Sequence, residues 1–508
     1  MSYSPRLSSG FTFAKNRSVF ISPQSGMCSF CTQDCEGTCE LSQAAVLGAQ
    51  TVYPTTTGNN QIASEKDYPI DFSHFNINGR VFGAQGVNET HSEATIFNVS
   101  LERTYGFYHP IKMAMPIILP ALIKLNWEDY FAGAAMAGVS CVIGEDARNN
   151  DPNLKITNGK VTNFPLLKKA LDSFNTYDRG YGQIVLQCNV DDDLMGIPQL
   201  AIEKYGTKGI EIKFGQGAKG TQPAKLVKDL DSALVKQQHG NLVFPEPSDP
   251  TIQKAYHDGV CPNFYTYGRL PMWTEESLMA HITMLRDIGA QNIYFKMAGY
   301  DRVDIERVLT IACEAKIDMI TFDGAGGGSG YSPSKMMNEW SLPTVCLEDV
   351  VVRICDRLKT IGYSLPSIVI TGGFASEDQV FKGLAYGDGH VKAIGLCRSS
   401  MAATMSGKTI GEQIKSGNVP QRFKSYGSTI EEIFGDLPDL RAIYGKKANQ
   451  FSTGAIGLFS YLNKIAFGVK HFAALNRKFN IDLLNKSDLI PLTSEARKLM
   501  TNEWFLPQ

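Results

Sequence analysis

Between Pro110 and residue 396 the chain repeats one unit, a short apolar and often β-branched run followed by a stretch with helical spacing. Eight such runs can be read: KMAMPIIL (112–119), SCVIG (140–144), QIVLQCNV (183–190), GIEIKFG (209–215), NIYFKMAG (292–299), DMITFDG (318–324), SIVITGG (367–373) and VKAIGL (391–396). Runs of this length and content are buried strands, and strands that alternate with helices pair in parallel. Helices are expected between them at Trp127–Ala137, Asn163–Asn175, Met195–Tyr205, Glu275–Ile288, Asp304–Ala315, Leu347–Ile361 and Glu377–Tyr386. Eight strands alternating with helices give an α/β fold, a (β/α)8 TIM barrel. A doubly wound open sheet alternates in the same way, but its glycine-rich turn follows the first strand. Here the glycine-rich turns follow the sixth, seventh and eighth runs.

The expected organisation is an irregular N-terminal segment (1–108), the barrel (109–408) with an insertion at 216–274, and a helical C-terminal extension (409–508). A net charge of -2 supplies no field for nucleic acid or an anionic membrane. The start, MSYSPRLSSGFTFAKNRSVF, lacks the apolar core of an export signal. The apolar stretch Ala455–Leu475 is broken by Asn463, Lys464, Lys470 and His471, so it reads as a core or amphipathic helix and not a membrane span. Eleven cysteines without an export signal suit a reducing, cytoplasmic location.

Four of those cysteines, Cys28, Cys31, Cys35 and Cys39, fall within twelve residues beside Asp34, Glu36 and Glu40. Thiolates spaced C-x2-C-x3-C-x3-C suit an iron–sulfur cluster, with 4Fe–4S the expected type. A structural zinc is the alternative, although zinc sites more often split into two separated pairs. Disulfides fit the compartment least.

Barrel sites form at the C-terminal ends of the strands, so the residues just past each run are the candidates for chemistry. Gly372 and Gly373 follow the seventh run, and Gly395, Leu396 and Arg398 the eighth. Glycines there let backbone N–H groups approach a phosphate, and Arg398 adds a charged fork; plain tight turns would use the same glycines. The sixth run leads through Asp323 into Gly324, Gly326 and Gly327, a run of glycines that is costly unless positive φ or a flat ligand demands it. A flexible loop is the simpler reading. Glu211 and Lys213 lie on the fourth run, Lys296 on the fifth, and Glu145 follows the second. Charges inside a barrel need partners, either an anionic cofactor or one another. A lysine at the edge of a flavin stabilises negative charge on the reduced ring, and Gln187 on the third run can bond the same edge.

Taken with GEDARNNDP (144–152), the segments IEIKFGQGAKG (210–220), YFKMAG, TFDGAGGGSGYSP, TGGFASEDQVFKGLAYG and AIGLCRSS resemble, in similar order and spacing, the FMN-binding barrel domain of the glutamate synthase large subunit. The resemblance covers roughly Pro110 to Thr404. It implies a noncovalent FMN held by Met115, Gln187, Lys296, Gly324, Gly326, Gly327, Gly372, Gly373, Gly395 and Leu396, to which the reading of the strand ends adds Asp323 and Arg398. Lys213 and Glu145 would face the substrate side of the ring and, with Lys296, serve catalysis.

Departures from that family matter as much. CNVDDDLMG replaces a segment whose arginine helps hold 2-oxoglutarate, and CPNFYTYGRLPMW (261–273) replaces one with a histidine pair. The family's cluster cysteines after the barrel are missing, leaving Cys397, and no amidotransferase domain is read. The expectation is an FMN- and iron–sulfur-dependent oxidoreductase. Hydride would pass between FMN and a small amine or amino-acid-like substrate, suggested by Asp191, Asp192 and Asp193. Single electrons would pass through the N-terminal cluster to a ferredoxin-like carrier, in a homo-oligomer. The alternatives are a glutamate or N-methylglutamate synthase-type subunit served by a partner amidotransferase, and a non-catalytic electron-transfer or assembly subunit.

Overall fold

The computed structural model of the chain describes residues 35, 40–48, 70–122, 126–214, 225–261, 263–324 and 341–501. Eight parallel strands close into a barrel. They are β1 (Ile117–Leu122), β2 (Ser140–Ile143), β3 (Ile184–Cys188), β4 (Gly209–Phe214), β5 (Asn292–Ala298), β6 (Met319–Asp323), β7 (Ser367–Thr371) and β8 (Val391–Gly395). Each of the eight runs read in the sequence supplies one barrel strand. Neighbours pair in chain order, and β8 closes on β1 through Ile394↔Ile117 and Gly395↔Ile118. The first run was expected to be one strand and is two. Ile111–Met113 pairs antiparallel with Arg103–Tyr105, and the barrel strand begins only at Ile117. Pro116, with no N–H to give to a ladder, separates them.

Side chains alternate in and out along each strand, so every second residue points into the barrel. The lower interior layer is apolar, with Ile118, Val142, Val185, Tyr294, Met319, Val369 and Ala393, and Tyr105 and Met113 of the hairpin seal it from below. Two residues further along β3, β5, β6 and β7 the inward positions turn polar, with Gln187, Lys296, Thr321 and Thr371, and Glu211 of β4 stands beside Gln187 in the same layer. The barrel therefore has an apolar floor and a polar upper layer.

The helices that matter for the site are α1 (Glu40–Leu47), α2 (Trp127–Ala137), α3 (Thr344–Thr360), α4 (Glu377–Tyr386), α5 (Arg398–Lys415) and α6 (Thr453–Leu475). Gly138, with φ of 71°, ends α2 where the sequence stops its helical period. α5 leaves β8 and runs across residue 408, and α6 packs against α5, α2 and α4. A Cβ on Gly407 would lie 2.9 Å from the Cα of Gly457, so two facing glycines let α5 and α6 cross closely. The buried Lys464 donates to Glu377 Oε2 at 2.5 Å, tying α6 to α4. Phe75–Ile77 pairs antiparallel with Leu489–Pro491, which interlocks the regions before and after the barrel.

The insertion between β4 and β5 has a fold of its own. Lys225–Val227, Phe264–Tyr267 and Leu242–Phe244 form a three-stranded antiparallel sheet, in that order. Its apolar centre is Val227, Leu230, Ala233, Val243 and Phe264. Among the described residues no helix is long and apolar enough to cross a membrane.

Removing one partner of a buried ion pair strands the other, whereas removing both is often tolerated. Lys464→Met is therefore expected to cost about 3–5 kcal/mol in chemical denaturation. Glu377→Met combined with Lys464→Met should recover most of that loss. A single variant as stable as the parent would contradict the pairing.

Candidate active site

Three carboxyl groups and two ammonium groups meet in the upper layer and at its rim. Gln187 Nε2 donates to Glu211 Oε1 at 2.5 Å, and both residues are buried. Lys296 Nζ lies 3.6 Å from Asp323 Oδ2. Lys213 Nζ donates to Glu145 Oε1 at 2.6 Å. These contacts follow from register. Gln187 stands opposite Glu211 on β3 and β4, and Lys213 opposite Lys296 on β4 and β5. Asp323 ends β6, one strand further round.

Burial pushes the Glu211 carboxyl up to about 7, against the opposing pull of Lys296, Gln187 and Lys213. For Lys296 burial alone would favour the neutral amine, but Asp323 and Glu211 outweigh it and hold the ammonium above its ordinary range. Gln187 Oε1, the other end of the bonded amide, is buried without a hydrogen-bond partner.

A glycine-lined shelf adjoins this layer. Gly324 N–H donates to Thr371 O at 2.8 Å, and Thr344 Oγ1 at the start of α3 donates to Gly372 O at 2.8 Å. A Cβ on Gly324 would sit 2.2 Å from Thr344 Oγ1, so this approach excludes any side chain. Gly372 and Gly373 both have positive φ, 123° and 86°, and among the described residues a Cβ on Gly373 would meet nothing within 4 Å. No described side chain covers that backbone. Beside it begins α5, whose N-terminus has no side-chain cap. Arg398 is its first residue, and Ser400 carries a buried hydroxyl that makes no hydrogen bond. The first turn of α5 meets the shelf where Ser399 Oγ donates to Phe374 O at 3.4 Å, and its helix N-terminus, with the Arg398 guanidinium and the Ser400 hydroxyl, offers donors of the kind that suit a phosphate.

The expected site residues divide accordingly. Glu145, Gln187, Lys213, Lys296, Asp323, Gly324, Gly372, Gly373 and Arg398 are brought together at the C-terminal mouth. Gly395 serves packing, since a Cβ there would come within 2.6 Å of Thr371 Cβ. Leu396 is buried, and its N–H is engaged by Ile118 O at 3.0 Å. Met115 precedes β1, about 20 Å down the strand from its exit, and is not part of the mouth. Gly326 and Gly327 lie outside the described residues, as do Cys28, Cys31 and Cys39. Cys35 is buried with its Sγ 3.6 Å from Ser406 Oγ on α5. Thr344 carries no periodic or motif signal of its own, and Ser400 closes the segment AIGLCRSS without being singled out there.

The acidic turn after β3 is neutralised from within. Asp191 pairs with Arg269, and Asp192 with the fully buried Arg148. Arg148 also lies 2.9 Å from Asp146 Oδ1 and donates to His239 O of the insertion at 3.0 Å. Burial, then the charge of Asp192, pushes Asp193 up to about 7, where it lies 3.7 Å from His281 Nε2. With two of the three aspartates held by the protein's own arginines, the turn gives no argument for a cationic substrate.

Residues 269–405, from the end of the insertion through β5 to β8 and into α5, match the family model described as the conserved region in glutamate synthase. No curated protein matches the chain. Among solved structures, the flavin-binding domain of baker's yeast flavocytochrome b2 is similar at 12% identity, over 86% of this chain and 82% of that one, with a TM-score of 0.47. A lactate oxidase of Pediococcus acidilactici is similar at 12% identity, over 83% of this chain and 84% of that one, with a TM-score of 0.44.

Arg148 joins the loops after β2 and β3 to the insertion, so its loss should loosen that joint first. Arg148→Met leaves Asp192 buried without its cation, a cost of about 3 kcal/mol or a hundredfold in local opening. Limited proteolysis should then cut within 236–241 far faster than in the parent. Unchanged cleavage would rule out the clamp.

Proposed function

We propose that the chain is an FMN-dependent oxidoreductase built on a glutamate synthase-type barrel, acting on a small molecule at its C-terminal mouth. The observation that carries this reading is the pairing of an open glycine shelf and uncapped helix N-terminus with a charge-compensated polar layer in one mouth. The match of residues 269–405 to the conserved region in glutamate synthase supports the same cofactor.

The residues fit FMN. Gly372, Gly373, Arg398 and Ser400 would take the phosphate, and the unsatisfied Ser400 hydroxyl would gain a partner there. Lys296 and Gln187 would face the ring, and the Gln187 amide, whose Oε1 is buried and unsatisfied in the free protein, would find its partners between the ring and Glu211. Gly324, with Gly326 and Gly327 by resemblance, would line its edge. When bound, FMN supplies a carrier that takes electrons as a pair and passes them singly. The protein's own part is to orient it, to exclude water with the apolar floor, and to hold a proton at Lys213 Nζ beside Glu145.

The finer reading adds an iron–sulfur cluster on Cys28, Cys31, Cys35 and Cys39, with 4Fe–4S the type their spacing suits best and zinc the competing metal. Cys35 touches α5 at Ser406, eight residues from Arg398, or about 12 Å along the helix. A cluster beside it would lie close enough to exchange single electrons with the mouth and pass them to a ferredoxin-like carrier.

Two outcomes test these readings. Arg398→Met should weaken FMN binding about 10- to 100-fold, the worth of a charge-assisted hydrogen bond, and leave riboflavin binding unchanged. Equal losses for both ligands would refute the phosphate assignment. Cys31→Ser, purified anaerobically, should lose iron and keep flavin absorbance; retained iron would refute the cluster.

A further inference from the structure

Glu211 is the carboxyl group in the upper layer with the least to hold its charge. Both lysines near it already face other carboxylates, Lys213 at Glu145 and Lys296 at Asp323. The charged and titratable groups that bear on it are Lys213 on its own strand, Lys296 and Tyr294 on β5, and Glu145 beyond β2; Asp323 of β6 holds the far side of Lys296. Among the described residues its one hydrogen bond to a neutral partner comes from Gln187 Nε2, and that bond turns Gln187 Oε1 away from it, buried and unsatisfied.

This arrangement has two states. A carboxylate at Glu211 can only accept, so it holds the nitrogen end of the Gln187 amide and leaves the oxygen for a ligand. A protonated carboxyl can donate to the oxygen, and the amide then presents its N–H groups instead. We propose that Glu211 is a positioning residue whose protonation decides which end of the Gln187 amide is offered to the cofactor, and that it takes up a proton when FMN binds. The inference rests on the flavin reading above.

Charge gives the direction. FMN brings a phosphate of about -1.5 to -2 into the mouth and displaces water from the layer. Both effects disfavour an extra anion at Glu211 and raise its proton affinity above the free protein's value near 7. Below that pH Glu211 is already neutral, and FMN affinity should be level. Above it each binding event must recruit a proton, so affinity should fall by up to about tenfold per pH unit until the bound-state value is reached.

The test is calorimetric titration of FMN at pH 8 in two buffers of different ionisation enthalpy, which counts protons taken up per FMN bound. Any change in the phosphate's own protonation is common to all variants and cancels in the differences. Relative to isosteric Glu211→Gln, the wild-type protein should take up close to one additional proton, and its affinity should fall from pH 7 to 8 while that of E211Q stays level. Gln187→Met removes the donor that steadies the Glu211 anion, so the free carboxyl is already largely protonated and the additional uptake should drop by more than half. Equal uptake by wild type and E211Q overturns the proposal, and so does undiminished uptake by Q187M, which would mean that Glu211 acts by charge alone. In both cases FMN binding itself stands. If none of the proteins binds FMN, the flavin reading falls and this inference with it.

Discussion

An ammonium group inside a protein is tolerable only when opposite charge is fixed beside it, and Lys296 sits inside a barrel. The strands on either side supply that charge: Glu211 faces it from β4 and Asp323 from β6. Because each of these residues is held by its strand's register, the compensation is built in before any ligand arrives. The apolar floor of Ile118, Val142, Val185 and Tyr294 keeps water from entering below. Together these place a set of paired charges at a fixed depth, facing one open end.

The parts outside the barrel serve the same mouth. α5 begins at the glycine shelf with an uncapped N-terminus, and further along it meets Cys35 through Ser406. α6 buries most of its length against α5 and α2, so the extension fixes α5 rather than hanging free. On the opposite side Arg148 joins two barrel loops to the insertion. The mouth is thus walled by helices on one side and by an ion-pair joint on the other.

The barrel was legible because its strands are short apolar runs and its helices carry a clear period, and each run found its place. Pro116 marks the boundary at which the first run divides, and it is visible in the sequence, whereas nothing in the sequence stops α5 at residue 408. The site was legible where strand position decides direction: Gln187, Glu211 and Lys296 alternate with apolar residues and so had to point inward. It was not legible where distance in space decides. Thr344 closes on Gly372 from a helix 28 residues earlier, and nothing in its neighbours announces that contact. Met115 was misplaced because a motif match ignores which end of a strand a residue occupies. The aspartates after β3 looked like an acidic surface because their arginines, Arg148 and Arg269, come from distant segments.

The mouth is proposed to hold a phosphate on glycine backbone and a flat ring above Lys296. A crystal structure of the protein grown with excess FMN tests it directly. Phosphate density is expected against Gly372, Gly373 and the first turn of α5, with the ring spanning Lys296 and Gln187. Flavin density at any other surface, or a mouth without density at saturating FMN, would contradict it.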